Sequence, residues 1–491
     1  MSASLAQAIA AYRRALPPGE LLEFSLTPLD RLGIPVQTLT LFPSTAGQAG
    51  APVWQLCEGT GYGATEEEAR VGAYGELTEE WCSSAALARM PRVTGSYRGL
   101  VARRGLSGVQ DPVGLCLEAG SPYTPDTVLE WVETRRLATD EAVLVPAEFV
   151  ACSGMDAPPR PEITRLVTPI TNGHGAGSTS GMAQVHGLLE LLQRDGNSVQ
   201  YRALAGGVAV DPRTITDPFA RELLERYDRA GIEVFVKVAA TDFGMVNLYV
   251  VGYDRDEAAG GLPVMTAACG EAVHPVASVA LRKALLEFAS SRARLALFHG
   301  PVASLEKVVP PGYLDKYRRF LNPADEEPRG LGGMYRWLRL SLDGMRRTLG
   351  PVFAVTQQVA FDDLPTTDNP ALGTDKAALE REVVARLTAA GLDVLVADIS
   401  PPGGEVHAAK VIVPGLEVET MSYHRVGERN LRRLMTRAGK DDGFPTLAGV
   451  GEPPPGARPV PLTPEATGRL GGAAWLDVEA LDAVMEELFV L

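Results

Sequence analysis

From Met182 to Asn197 the apolar residues Val185, Leu188, Leu189 and Leu192 recur at helical spacing, and His186, Glu190 and Gln193 fill the opposite stripe. The spacing predicts a helix with a buried leucine face and a second face that presents a carboxylate and an amide. Before it lies a glycine-rich stretch, Asn172 to Gly177, expected as a turn, and Ser178-Thr179-Ser180 offers hydroxyls that can cap the helix start. Upstream, Thr65 to Glu68 reads as a capping box that opens a helix reaching Ser84, with Glu76 and Glu79 on one face. A third helix is expected over 276–297, after His274-Pro275, with Lys283 and Glu287 one turn apart. Three helices with polar groups at one-turn spacing point to one shared polar site.

The rest of the chain alternates strands and helices. Residues 1–25 read as helical. Strands are expected at 29–42 (after an approach loop), 53–58, 129–137, 142–150, 232–240, 246–253, 352–359, 393–398 and 409–413. Gly59 to Gly63 reads as a turn, and helices are expected at 215–230 and 376–390. Residues 90–130 suggest loops and short helices, and 303–349 charged turns and short helices. A proline-rich passage, 453–464, reads as a linker, followed by a last helix capped by Asp477. This pattern is that of an α/β protein.

Composition narrows the partners. The chain has 491 residues and a formal net charge of -15, which argues against nucleic acid or an anionic membrane as partner. It holds no apolar run of bilayer length, and its N-terminus lacks the charged start and apolar core of a signal peptide. Five scattered cysteines without a CxxC pair indicate neither a zinc site nor a disulfide framework, so a reduced, cytoplasmic protein is expected.

The ordered motifs resemble the YcaO family. They are LDRLGIPV (29–36), the Gly61-Tyr62-Gly63 turn, GAYGELTEE (72–80), Thr171-Asn172-Gly173, HGLLELLQRD (186–195), Gly270 with His274, Lys283 with Glu287, and VPGLE (413–417). The resemblance implies a YcaO-type α/β fold, mixed β-sheets covered by helices with a nucleotide site between them. It implies ATP and Mg2+ as cofactors and a precursor peptide as substrate. The oxygen of a backbone amide would be phosphorylated after a nucleophile adds to its carbon. With Cys, Ser or Thr the product is an azoline ring; with an amine it is an amidine, and with sulfide a thioamide. Glu76, Glu79, Glu190 and Gln193 would hold metal and triphosphate, helped by Asn172, Arg194, Lys283 and Glu287.

Several positions depart from the family pattern. Glu80 stands where the family has arginine, Gln193 where it has a second carboxylate, Lys283 for arginine, Tyr62 for lysine and Gly72 for serine. These losses keep a second class open, a non-catalytic protein that binds peptide or scaffolds a partner. Structural roles are the plainer reading of His186 and His274, and a surface role of Arg425 and Arg429. The general base is left unassigned. The expected layout is an N-terminal helical segment (1–28), a catalytic domain (29–450), and a proline-rich linker with a C-terminal helix (451–491). A separate leader-peptide-binding or TfuA-like partner and a homodimer both remain open.

Overall fold

The computed structural model describes residues 2–43, 56–152, 165–167, 169–203, 207–256, 261–320, 328–417, 424–437 and 445–489. The expected strand start at 53–55 and the Pro/Gly stretch near 155–161 lie outside these residues.

Helix α1 (Ser2–Ala15) ends before Pro17-Pro18, whose rings and missing N–H groups stop a helix. The segment after it, expected to be helical, is instead strand β1 (Gly19–Ser25), antiparallel to β2 (Val36–Pro43). The N-terminal segment is therefore a helix plus an edge strand, because the ladder offered by β2 overrides local propensity. Strand β3 (Cys57–Tyr62) completes this first sheet on the other edge of β2.

Gly59 and Gly61 lie within β3, not in a turn. Helix α2 (Glu66–Leu87) lies directly on them: a Cβ at Gly59 would sit 2.2 Å from the Ala73 carbonyl oxygen, and one at Gly61 2.0 Å from that of Ala69. The Thr65 hydroxyl accepts from Glu68 N at 3.2 Å, and the Glu68 carboxylate accepts from Ala64 N at 2.8 Å, one residue earlier than in an ideal capping box.

The second sheet runs β4 (Val93–Ser96), β5 (Val128–Arg136), β13 (Leu395–Asp398), β14 (His407–Ile412) and β7 (His174–Gly177), with β6 (Ala142–Pro146) paired to β5. Helix α3 (Tyr97–Arg104) follows β4. Helix α4 (Ser180–Ala203) repeats the packing of α2: a Cβ at Gly175 in β7 would be 2.0 Å from the Ala183 carbonyl oxygen. Only the opening of the glycine-rich stretch is a turn, at Gly173 with φ +87°.

The third sheet runs β11 (Cys269–His274), β10 (Val246–Asp254), β9 (Ile232–Ala240), β8 (Val208–Val210) and β12 (Gln357–Val359). The β8–β12 pair is parallel, whereas β8–β9, β9–β10 and β10–β11 are antiparallel. Helices α5 (Pro218–Arg229) and α6 (Ala277–His299) pack on this sheet through Leu223, Tyr227, Leu281, Leu285 and Phe288. Short helices α7 (Val302–Leu305), α8 (Tyr313–Tyr317), α9 (Pro328–Trp337), α10 (Leu342–Thr348) and α11 (Gly350–Phe353) fill the charged passage. Part of the strand expected at 352–359 thus belongs to α11.

Helix α4 lies between the second and third sheets. Its Val185, Leu188 and Leu191 are buried against Val411 of β14 and against Leu379 and Val383 of α12 (Lys376–Ala389). Burying each such side chain contributes about 1.5–3 kcal/mol. The polar stripe of α4 faces the gap that α2 and α6 close from either side.

The proline-rich passage is folded. Helix α13 (Glu428–Arg437) and strand β15 (Ala448–Val450) precede β16 (Ala457–Pro459), α14 (Pro464–Leu470), β17 (Ala474–Asp477) and α15 (Val478–Phe489). These elements share a core of Leu431, Leu434, Val460, Leu476, Leu481 and Met485. The linker reading fails because Pro459 sits on an edge strand and Pro464 opens a helix, two positions where proline costs little.

Candidate active site

Three carboxylates on the two central helices are each held by a backbone N–H from a glycine-rich strand or turn. Glu76 of α2 accepts from Thr60 N in β3. Glu79, one turn on, accepts from Ala176 N in β7 at 2.8 Å, and Glu190 of α4 from Gly173 N at 3.0 Å. The glycines that let the helices lie against backbone therefore also bring the helix side chains within reach of main-chain donors. Charge-assisted bonds of this kind fix carboxylate orientation. Glu80 turns aside and accepts from Glu58 N at 2.8 Å.

The second half of the site comes from β11 and α6. Glu271 of β11 accepts from Gln193 Nε2 at 3.0 Å and from Arg194 Nη1 at 3.3 Å. Arg194 also lies 3.8 Å from Glu190. Glu287 of α6 accepts from the Tyr62 hydroxyl at 3.0 Å, which ties β3 to α6 across the gap. Lys283, one turn before Glu287, acts electrostatically on Glu79, Glu190 and Glu287.

The carboxylates oppose one another. Burial raises the Glu79 carboxyl well above the usual carboxylate range, and repulsion from Glu190 and Glu76 raises it further. Burial also raises Glu190, against the pull of Arg194 and the Gly173 N–H. Glu287 is raised by burial, with Lys283 opposing. His186 Nε2 is 3.7 Å from Glu79, and 49% of its side chain is exposed, to the cleft rather than to bulk solvent. Surrounding protein atoms, then Lys283 and Lys376, hold its imidazole neutral.

This donor set suits a hard cation. Oxygen ligands in mutual repulsion are relieved by a divalent ion such as Mg2+. Among the described residues no group of three or more His, Cys, Asp or Glu is already close enough to hold a metal. One oxygen of each of Glu76, Glu79 and Glu190 is engaged by a backbone donor.

The structure thus brings Glu76, Glu79, Glu190, Gln193, Arg194, Lys283 and Glu287 around one gap. Asn172 lines a small cavity with Glu148, Lys410 and Arg425, of which Lys410 also acts on Glu190, and among the described residues its buried Nδ2 has no hydrogen-bond partner. Arg425 is not a surface residue, and Arg429 is partly buried. Arg425 is 1% exposed and donates to Leu115 O and Cys116 O at 2.9 and 2.8 Å. Arg429 donates to the buried Asp195 of α4 at 2.7 Å. Sequence reasoning missed Glu271, whose signal is a lone carboxylate in an otherwise apolar strand. It also missed Lys376, for which the sequence carries no signal.

Comparisons with known proteins place the chain among its relatives. The family model described as YcaO cyclodehydratase, ATP- and Mg2+-binding, matches residues 60–417. The chain belongs to the YcaO family. An uncharacterized protein of Methanothermobacter thermautotrophicus is 28% identical over 409 residues, 82% of this chain and 91% of that protein. The YcaO structure from Methanopyrus kandleri, bound with AMPPCP and Mg2+, has a TM-score of 0.56 at 22% identity, covering 84% of this chain and 90% of its own. A heterocyclase in complex with substrate and cofactor gives 0.60 at 17% identity, covering 84% of this chain and 52% of its own. The heterocyclase TruD gives 0.50 at 18%, covering 73% and 46%. The YcaO-type α/β fold expected from the motifs is the one found, and the expected cofactors, ATP and Mg2+, are those of the family. Among the described residues no helix is long and apolar enough to cross a membrane.

Proposed function

We propose that this YcaO protein activates a backbone amide of a ribosomally made precursor peptide, with Cys, Ser or Thr cyclodehydration to an azoline as the outcome. The observation that carries the reading is the convergence of Glu76, Glu79 and Glu190 with Lys283 and Glu287 on one gap between three helices. Bound Mg-ATP supplies the phosphoryl group that makes the amide oxygen a leaving group. Glu76, Glu79 and Glu190 hold the metal through the oxygens that their backbone donors orient. Gln193 contributes a carbonyl oxygen without charge, while its amide is anchored on Glu271. Lys283 and Arg194 neutralise phosphate charge, Lys283 as a point charge and Arg194 as a fork already braced by Glu271. Glu287, fixed by Tyr62, lies one helical turn from Lys283 and offsets its charge. Asn172, next to the Gly173 N–H that holds Glu190, helps on the nucleotide side.

Amidine formation and thioamidation share this first step and differ only in the nucleophile. Peptide delivery by a separate leader-binding or TfuA-like partner, and a homodimer, belong to the same reading. The test is thermal stability with and without Mg-ATP, in wild type and in Glu76→Ala. A ligand at a hundred times its Kd stabilises the folded state by about 2.7 kcal/mol. A shift in the wild type that Glu76→Ala loses supports the site. No shift in either overturns the catalytic reading in favour of a peptide-binding scaffold.

A further inference from the structure

Beside the carboxylates lies a cleft of about 160 Å³ between α4, α6, β11 and α12. Its walls are apolar on several sides, through Val185, Leu189, Val279 and Leu379. Lys283 and Lys376 also line it, from α6 and α12. Among the described residues neither ammonium has a hydrogen bond or an ion pair. Lys283 is offset by the neighbouring carboxylates, but only burial and Lys283 act on Lys376, and an uncompensated cation in a partly apolar cleft is costly unless an anion joins it.

The surrounding groups sharpen the demand. Lys283 lies between the acidic cluster, acting on Glu79 and Glu190, and Lys376, whose charge it opposes. Lys376 has its pKa lowered by burial first and by Lys283 second. The imidazoles facing it, His186 on α4 and His274 on β11, are both held neutral by burial and by the lysines, His274 at about 4. On its own helix, Glu380 points its carboxylate at Gly181, where a Cβ would be 2.5 Å from it. Asp375 caps the helix, accepting from Ala378 N at 3.0 Å. Lys376 is the first residue of that helix, so the positive end of the helix dipole adds to its charge.

We propose that this cleft binds a peptide carboxylate joined to an apolar side chain, with Lys376 as its counter-ion. The inference rests on the peptide-modifying reading and deepens it. Lys283 serves the triphosphate side, which leaves Lys376 for a second anion. A phosphate would need further donors and full hydration, and valine and leucine walls supply neither. A carboxylate carries one charge and shares its ligand with an alkyl group that the walls can bury. A C-terminal apolar residue has that chemistry, which places the activated amide close to the acid end of the substrate. An acidic side chain is the other source of a carboxylate.

The test titrates the full-length protein with N-acetyl-L-leucine, N-acetyl-L-leucinamide, the α-amide of N-acetyl-L-glutamate and inorganic phosphate, read by melting temperature and by NMR shifts. N-acetyl-L-leucine is expected to bind and its amide not. Lys376→Met should weaken that binding about tenfold or more, the scale of a lost charged hydrogen bond, and Lys376→Arg should keep it. Both variants should retain the Mg-ATP shift, which shows that they fold. Equal binding of the leucinamide overturns the proposal, as does wild-type affinity in Lys376→Met or the absence of binding by either carboxylate. Tighter binding of phosphate that depends on Lys376 overturns it in favour of a phosphate subsite. Tighter binding of the glutamate amide overturns the C-terminal assignment. A wild type without any Mg-ATP shift removes the catalytic reading instead and leaves the carboxylate titration to be judged alone.

Discussion

Gln193 Nε2 donates to Glu271 Oε2 at 3.0 Å, so the amide of the central polar stripe is paired with a carboxylate from the third sheet. The residue that departs from the family pattern on α4 thus has a partner that only the fold supplies. Gln193→Glu would set two buried carboxylates against each other. The melting temperature without metal should fall, by an amount corresponding to roughly 1–3 kcal/mol. Mg2+ should recover most of the loss, since a cation relieves the repulsion. A variant as stable as wild type without metal would contradict the pairing.

Glu190 has two separable roles, an acceptor for Gly173 N and a charge in the site. Glu190→Gln keeps the acceptor and should fold normally while losing the Mg-ATP shift and ATP turnover. Glu190→Ala should lose both functions and cost a further 1–3 kcal/mol or so for the orphaned N–H. Melting curves and a phosphate-release assay separate the two, and full activity in Glu190→Gln would remove the residue from the site.

The close contacts of α2 with β3 and of α4 with β7 leave no room for a methyl group. Gly61→Ala and Gly175→Ala would each place a carbon 2.0 Å from a helix carbonyl oxygen. Each should destabilise by about 3 kcal/mol or more, since backbone must move. Chemical denaturation measures this, and a loss below about 1 kcal/mol would show that the helices pack more loosely.

Glu148 carries a pH dependence away from the cleft. Burial pushes its carboxyl up to about 7, against the N–H groups of Leu166 and Val167. A raised carboxyl pKa stabilises the fold fully below the ordinary carboxylate range. That contribution is lost as pH rises from about 4.5 through about 7. Glu148→Gln should remove a decline on the order of 3 kcal/mol over that window. Unfolding free energies measured from pH 4 to 8 check this, and identical profiles for both proteins would contradict it.

Much of the site was legible because it lies on helices. Glu76 with Glu79, Glu190 with Gln193, and Lys283 with Glu287 share faces by the 3.6-residue period alone. Thr65, whose hydroxyl accepts from Glu68 N, marks one helix start by a local bond. The same period set the leucine face of α4 that Leu188 and Leu191 bury. Strand β1 and the folded C-terminal module were not legible in this way. The first depends on a ladder with β2 and the second on a core gathered from α13 to α15.

What the chain determines by itself is therefore the set of helices, their polar stripes and the ordered motifs of the family, since each depends on neighbours within a turn or on residue order. Tertiary structure alone decided that Gly59, Gly61 and Gly175 are strand residues beneath helices. It decided that Glu271 and Tyr62 reach Gln193 and Glu287, and that Arg425 is buried against Leu115 and Cys116. It also set Lys376 opposite Lys283 across one cleft. These relationships join residues far apart in sequence, and only the packing of three sheets against shared helices brings such residues within reach of one another.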